Sequence, residues 1–112
     1  MARIGLALVA LFCCSAAFAS GVWNAVTVLQ VQATIGASAN LQVELSSNAI
    51  GTPPACSSPY RNWITVDMST IYGAMLGQIL QTARLSGSTV NLQGTGSCSI
   101  IASVENVSWV QE

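Results

Sequence analysis

The sequence predicts a small, mainly β domain with one α-helix, and three observations support this fold class. Several segments alternate apolar and polar residues with period two, as half-buried strands do. One segment, residues 67–87, instead repeats its apolar residues at the spacing of a helix stripe. Residues 20–112 lack any internal repeat or linker, and their length suits one domain with a modest core.

Residues 1–19 are typical of a secretory signal peptide. Arg3 precedes a short apolar run, and the small residues Ala17 and Ala19 give the A-x-A pattern of a cleavage site before Ser20. The run is too short for an ordinary membrane-spanning helix. We therefore expect export to the periplasm or the cell exterior, with a single mature domain over residues 20–112.

The composition of residues 20–112 excludes several classes of function. Two arginines face four acidic residues, a net charge of −2, and both lysine and histidine are missing. Such a chain offers no basic surface for nucleic acid and no second apolar segment to span a membrane. It also lacks the commonest general base and the Schiff-base amine, so we expect a protein that is not an enzyme and needs no cofactor.

Four cysteines divide into two pairs. Cys13 and Cys14 should leave with the leader, since the bulky residue before either one argues against a lipoprotein. Cys56 and Cys98 are predicted to form a disulfide, because an exported chain is oxidised and two thiols are too few ligands for a metal site. Closing a loop of this length stabilises the fold by about 4 kcal/mol in the chain-entropy model.

The first strand is predicted over Trp23–Ile35. Its alternation changes phase at Val28–Leu29, where two neighbouring apolar residues indicate a β-bulge or a strong bend. A turn of small residues, Gly36–Asn40, leads into a second strand with apolar Leu41, Val43 and Leu45. These two strands are expected to form a hairpin.

A proline- and serine-rich loop, Ser47–Asn62, is predicted after the hairpin, and loops of this length are often functional. Three more strands are predicted at Trp63–Val66, Thr89–Gln93 and Ile100–Val110. The last of them changes phase near Glu105.

The helix is predicted to bury one stripe and to leave the opposite side free. Asp67 or Ser69 would cap its start, Arg84 lies in its last turn, and Gly87 would end it. The buried stripe is predicted to comprise Ile71, Tyr72, Met75, Leu76, Ile79, Leu80 and Ala83. The opposite side is small and polar and carries Gly73, Ala74, Gly77 and Gln81. Close approach of another segment, such as a partner helix, is one interpretation of these residues, and simple tolerance of the glycines is the other.

The predicted order is β-β-β-α-β-β, with a long bent first strand. This is the order of the OB-fold, a five-stranded, partly open Greek-key barrel in which the helix would cover one end. The alternative is an α+β layout with one helix on an open antiparallel sheet.

Short motifs resemble a known family. They are Trp23, the Cys56-Ser57-Ser58 loop, the helix start Ser69-Thr70-Ile71-Tyr72 and the turn and strand Ser86-Gly87-Ser88-Thr89-Val90-Asn91-Leu92. In these the chain resembles small secreted bacterial domains related to the B subunit of subtilase cytotoxin. The resemblance implies an OB-fold, a homo-pentameric ring packed through its helices, binding of sialylated glycans and a catalytic A-type partner chain.

The residues themselves also favour recognition. Sugars are bound by hydrogen bonds together with an aromatic face, and the predicted loop supplies both through Ser57, Ser58, Tyr60, Arg61 and Trp63. The first hypothesis is thus a secreted, ring-forming OB-fold module that recognises a glycan. The second is a monomeric structural or interaction protein, in which Trp63 is core and Arg61 is simply solvated.

Overall fold

A computed structural model describes residues 20–35 and 38–112. The predicted signal peptide, with Cys13 and Cys14, lies outside the described residues, as do Gly36 and Ala37 of the predicted turn. The described elements are β1 Gly21–Ile35, β2 Ala39–Leu45, β3 Ile50–Gly51, a 3₁₀ helix Ala55–Tyr60, β4 Trp63–Asp67, α1 Ile71–Ser86, β5 Thr89–Gly94 and β6 Glu105–Gln111. The prediction of a mainly β domain with one main helix is confirmed.

Strand pairings run in a circuit that returns to its starting strand. β1 pairs with both β2 and β5, β2 continues to β4, and β5 continues to β6. β4 and β6 pair in parallel, through Ile64 with Glu105 and Thr65 with Asn106. The two-residue β3 pairs with the start of β1. β1 can serve two neighbours because its 15 residues are more than twice the length of β2.

The predicted hairpin and its bulge are confirmed. Val28 pairs with Leu45, but the next pair is Gln30 with Glu44, so one residue of β1 is skipped. Val28 points into the core while Leu29 is exposed, which is what an extra residue in one strand produces.

Two boundaries of the predicted elements are wrong. β6 begins only at Glu105, and residues 100–104 form an irregular segment with an isolated bridge between Ile101 and Val104. The predicted loop 47–62 contains β3 and the 3₁₀ helix. The alternating pattern of residues 100–110 alone could not distinguish a continuous strand from an irregular segment followed by a strand.

The core lies between the inner faces of the strands and α1. Trp23 is 1% exposed, and its indole N–H donates to the carbonyl of Arg61 at 3.1 Å. The buried apolar residues packed with it are Val26, Val28, Leu41, Val43, Leu45, Ile64, Val66, Leu76, Leu80, Ala83, Val90, Leu92 and Val107. Trp23 therefore ties the start of β1 to the segment before β4 through both apolar contact and a hydrogen bond.

The predicted orientation of the helix is wrong by roughly a quarter turn. Leu76, Leu80 and Ala83 are buried as expected, but Ile71 is 84% exposed and Tyr72 and Met75 are more than half exposed. Part of the side that was predicted to be free faces the core instead, with Gly73 and Gly77 buried, whereas Ala74 and Gln81 of that side are exposed.

Close packing explains why the glycines face inward. A Cβ on Gly77 would lie 2.9 Å from the Met68 sulfur and 3.1 Å from a Leu41 methyl group, and one on Gly73 would collide with the carbonyl of Asp67. The glycines let α1 approach the end of β4 closely, so their cost in helix propensity is offset by packing within the chain.

The ends of α1 follow the predicted chemistry in part. Thr70, rather than Asp67 or Ser69, is the N-cap, and its hydroxyl accepts from the N–H of Gly73 at 2.9 Å. Gly87 ends the helix in the left-handed region, as predicted, at φ 72°. Arg84 in the last turn donates to the carbonyl of Leu29 at 3.4 Å, which connects the helix to the bulge of β1.

Candidate functional site

The outer faces of β1, β2 and β4 carry amide and hydroxyl groups in cross-strand rows. Gln42 pairs with Gln32 on one side and Thr65 on the other, and Asn40 pairs with Thr34 and Asp67. Because side chains alternate along a strand, these residues point away from the core. We call Gln32, Thr34, Asn40, Gln42 and Thr65 the amide face.

Hydrogen bonds fix the side chains of the amide face. The Gln42 amide nitrogen donates to Asn40 Oδ1 at 2.8 Å and to Thr65 Oγ1 at 3.1 Å. The Thr34 hydroxyl donates to the same Asn40 oxygen at 2.6 Å. Asn40, Gln42 and Thr65 are all buried although they lie outside the apolar core. This network holds polar groups in one arrangement before any ligand arrives.

A cavity of about 320 Å³ lies over this face. Tyr60 and Trp63 supply its aromatic wall, and Trp63 pairs with Glu44 one row along from Gln42. The remaining lining residues are Gln32, Thr34, Gln42, Ile101, Ser103 and Val104. All eight are uncharged, so the cavity combines amide and hydroxyl hydrogen-bonding groups with apolar and aromatic surface.

The predicted disulfide between Cys56 and Cys98 is present, with the two Cα atoms 6.3 Å apart and a sequence separation of 42. Cys56 belongs to the 3₁₀ helix that ends at Tyr60, and Cys98 lies just before the segment that supplies Ile101 and Ser103. The disulfide therefore joins two segments that both contribute lining residues to the cavity.

The cavity contains two of the five predicted ligand residues, Tyr60 and Trp63. Ser57 is a correction: it is 2% exposed, and its hydroxyl donates to the carbonyl of Pro54 at 3.0 Å within the 3₁₀ helix. Ser58 is exposed and Arg61 is half-buried, and neither lines the cavity.

Four polar lining residues were missed by the sequence analysis: Gln32, Thr34, Gln42 and Ser103. The first three occupy the polar positions of two strands whose alternation was recognised. The signal was present, because a hairpin brings the polar positions of its strands into rows. Ser103 carried no such signal, since its place depends on how residues 100–104 pack.

The four residues predicted for an oligomer interface fall into a buried pair and an exposed pair in the structure. Gly73 and Gly77 are buried against their own chain, so they are not available to a partner helix without rearrangement. Ala74 and Gln81 are exposed. The physical reason is the close approach of α1 to Met68 and Leu41, which occupies the groove that was predicted to receive another protomer.

Two carboxylates have shifted pKa values, and neither lies in the cavity. Burial raises the pKa of the Glu105 carboxyl above its ordinary value, and hydrogen bonds from the N–H groups of Gly21 and Gly96 offset part of that shift. Hydrogen bonds from the Ser69 hydroxyl and N–H, with a weaker one from Ser38, lower the pKa of Asp67.

Within residues 20–35 and 38–112, no group of three or more metal-ligating side chains is close enough to hold a metal ion. None of the helices described in this part of the chain has the length and apolar character needed to cross a membrane.

Comparison of the chain with known protein families, curated proteins and solved structures finds no match. The cavity and its amide face are thus the main basis for a functional proposal.

Proposed function

We propose that this protein is an exported, non-enzymatic binding module whose five main strands form an OB-fold barrel and whose cavity over the amide face recognises a glycan. The barrel is supported by the pairing circuit through β1, β2, β4, β6 and β5, with the parallel pair between β4 and β6. Export is supported by the signal-peptide pattern of residues 1–19 and by the disulfide.

The observation that carries the glycan proposal is that the aromatic side chains of Trp63 and Tyr60 line the same cavity as the amide face. A sugar ring presents apolar C–H groups on a face and hydroxyls around its edge. Trp63 and Tyr60 can cover the face, while Gln32 and Ser103 can donate to and accept from the hydroxyls. Both N–H groups of the Gln42 amide are used within the network, so Gln42 can only accept, through Oε1. Since Gln42 is already held by Asn40 and Thr65, little side-chain entropy is lost on binding.

The charge of the cavity favours a neutral sugar. No cationic side chain lines it, so the carboxylate of a sialic acid would be desolvated without an ion pair. This differs from what the family resemblance implies. We therefore propose neutral hexose or N-acetylhexosamine units as the ligand class.

A glycan array probed with the exported protein tests this proposal. We expect neutral glycans to bind and Tyr60→Ala to reduce the signal at least tenfold, because the aromatic wall is lost. Tyr72→Ala is the matched control, since Tyr72 is a similarly exposed tyrosine on α1. A blank array, or equal losses for both variants, would exclude this cavity as a glycan site.

The second candidate function is an interaction protein without a glycan ligand, which associates with further copies of itself or with a partner chain. It is favoured by the exposed apolar residues at the start of α1, namely Ile71, Tyr72 and Met75. Under this proposal a homo-pentamer or an A-type partner would contact these residues rather than Gly73 and Gly77. Light scattering should then give a multimer that Met75→Glu disrupts, whereas an unchanged monomer would remove the ring from the proposal.

A further inference from the structure

Glu105 is a fully buried carboxylate enclosed by glycines. It is the first residue of β6 and is 0% exposed. The N–H of Gly21 lies 3.2 Å from Oε1 and 3.1 Å from Oε2, and the N–H of Gly96 donates to Oε2 at 2.9 Å. A Cβ on either Gly21 or Gly94 would strike the carboxylate. The start of β1, the end of β5 and the turn after it thus close around one carboxyl group.

Backbone N–H groups are the only donors to this carboxylate in the described residues, and no arginine contributes to its environment. The groups that face it from β1, β5 and the following turn are glycines, none of which titrates. A buried carboxyl group without an opposite charge nearby is costly to ionise, and carboxylates are almost never fully buried in proteins unless they are paired.

The candidate that the chain itself offers for that charge is the nitrogen of Ser20. Ser20 directly precedes Gly21, whose N–H contacts both carboxylate oxygens. Its position is fixed from two sides: the Gln93 amide donates to its hydroxyl at 3.2 Å, and the N–H of Thr52 donates to its carbonyl at 3.3 Å. In the full chain this nitrogen belongs to a neutral peptide bond. The sequence predicts that the same bond is cleaved on export.

We propose that cleavage before Ser20 completes the fold, because the new α-ammonium group of Ser20 becomes the counter-ion of Glu105. Water hydrolyses the Ala19–Ser20 amide, leaving a carboxylate on Ala19 and an amine on Ser20 that takes up a proton. Opposite charges within about 4–6 Å of each other favour the ionised form of both groups. The processed chain is therefore more stable than the same chain with a neutral group at this position.

The inference rests on the proposal that the protein is exported and cleaved. A single preparation tests the cleavage separately from the ion pair. The full chain is exported and purified, and its intact mass shows where the chain has been cut. A mass that does not correspond to residues 20–112 overturns both cleavage before Ser20 and the ion pair. A mass that does correspond supports the cleavage and leaves the ion pair to the next measurement.

The processed chain contains no lysine, so an amine-specific acetylating reagent modifies the α-amine of Ser20 alone. We expect acetylation to lower the melting temperature at pH 7 by about 5 °C, a shift typical of losing one moderate interaction in a domain of this size. Acetylated Glu105→Gln should melt within about 1 °C of unmodified Glu105→Gln. Glu44→Gln, which removes a different carboxylate, should keep the full shift. Equal shifts in Glu105→Gln and the unsubstituted protein would overturn the ion pair.

A second measurement applies if Glu105→Gln does not fold. The rate of acetylation of the unsubstituted protein against pH reports the pKa of the α-amine, which is ordinarily about 7.7–8.0. The ion pair raises this pKa above its ordinary range, because the neighbouring carboxylate favours the charged amine. An ordinary value would contradict the proposal.

Discussion

The two faces of the sheet formed by β1, β2 and β4 differ completely, although they are built from alternate residues of the same strands. The inner face carries Leu41, Val43 and Ile64, all buried in the apolar core. The outer face carries Gln42 and Thr65, which are also buried but are held by hydrogen bonds. Burial alone therefore does not identify the core of this protein. One face determines the fold, while the other presents a fixed polar surface to the cavity.

The largest effect on stability should come from the inner face. Ile64→Ala removes a fully buried side chain and should lower the free energy of unfolding by about 2–5 kcal/mol. Ile71→Ala makes the same chemical change at a position that is 84% exposed and should change it by less than about 0.5 kcal/mol. Urea unfolding measures both. Similar costs at the two positions would show that α1 is oriented differently.

Removing the disulfide should lower both the stability of the fold and the affinity of the cavity for sugar. Replacing Cys56 and Cys98 with serine should cost about 2–4 kcal/mol in thermal unfolding, because the unfolded chain regains the freedom of the 42-residue loop. Sugar binding should also weaken, since Tyr60 and Ser103 would no longer be held at the cavity. Melting that does not change on reduction, with both thiols free beforehand, would contradict the structure.

The amide face should respond more weakly in stability and more strongly in binding. Gln42→Ala leaves Asn40 and Thr65 without their shared donor and should cost about 1–3 kcal/mol. Glycan affinity should fall with it. Gln78→Ala, an exposed glutamine on α1, is the control and should alter neither quantity. Retained affinity in Gln42→Ala would place the ligand elsewhere.

The smallest effect is expected at the end of α1, which belongs to neither face. Gly87 has φ 72°, and alanine in that conformation should cost about 1 kcal/mol. A Cβ there meets no atom within 4 Å, so packing adds nothing. Thermal unfolding should show this loss while glycan binding stays the same. A larger loss would indicate a contact that the structure does not contain.

Local sequence signals predicted the hairpin that forms part of the inner face, the end of α1 and the disulfide. Alternation gave the hairpin, and two adjacent apolar residues gave the bulge at Val28–Leu29. Gly87 and Arg84 marked the end of α1, and the cysteine count gave the disulfide. The hairpin, the bulge and the end of α1 depend on residues that are close in sequence. The disulfide follows from the cysteine count, which leaves each cysteine of the exported chain only one possible partner.

Long-range packing decided what sequence reasoning missed. Helix spacing placed Gly73 and Gly77 on the side away from the core, and the close approach that glycines permit was expected from a partner segment. In the structure it is made by Met68, Leu41 and Asp67 of the same chain. Residues 100–104 resemble a strand in pattern but lie over the cavity. Tyr60 and Trp63 were predicted as ligand residues. Their amide partners come from strands far away in sequence, so the cavity was only partly predictable.

Nuclear magnetic resonance mapping tests the glycan site most directly. The ¹⁵N-labelled exported protein would be titrated with methyl glycosides of galactose, glucose and N-acetylglucosamine, and with N-acetylneuraminic acid. We expect a neutral sugar to shift the side-chain amides of Gln32 and Gln42 and the indole N–H of Trp63, with the sialic acid shifting them least. Shifts confined to Ile71–Met75, or a response to the sialic acid alone, would contradict the proposed site.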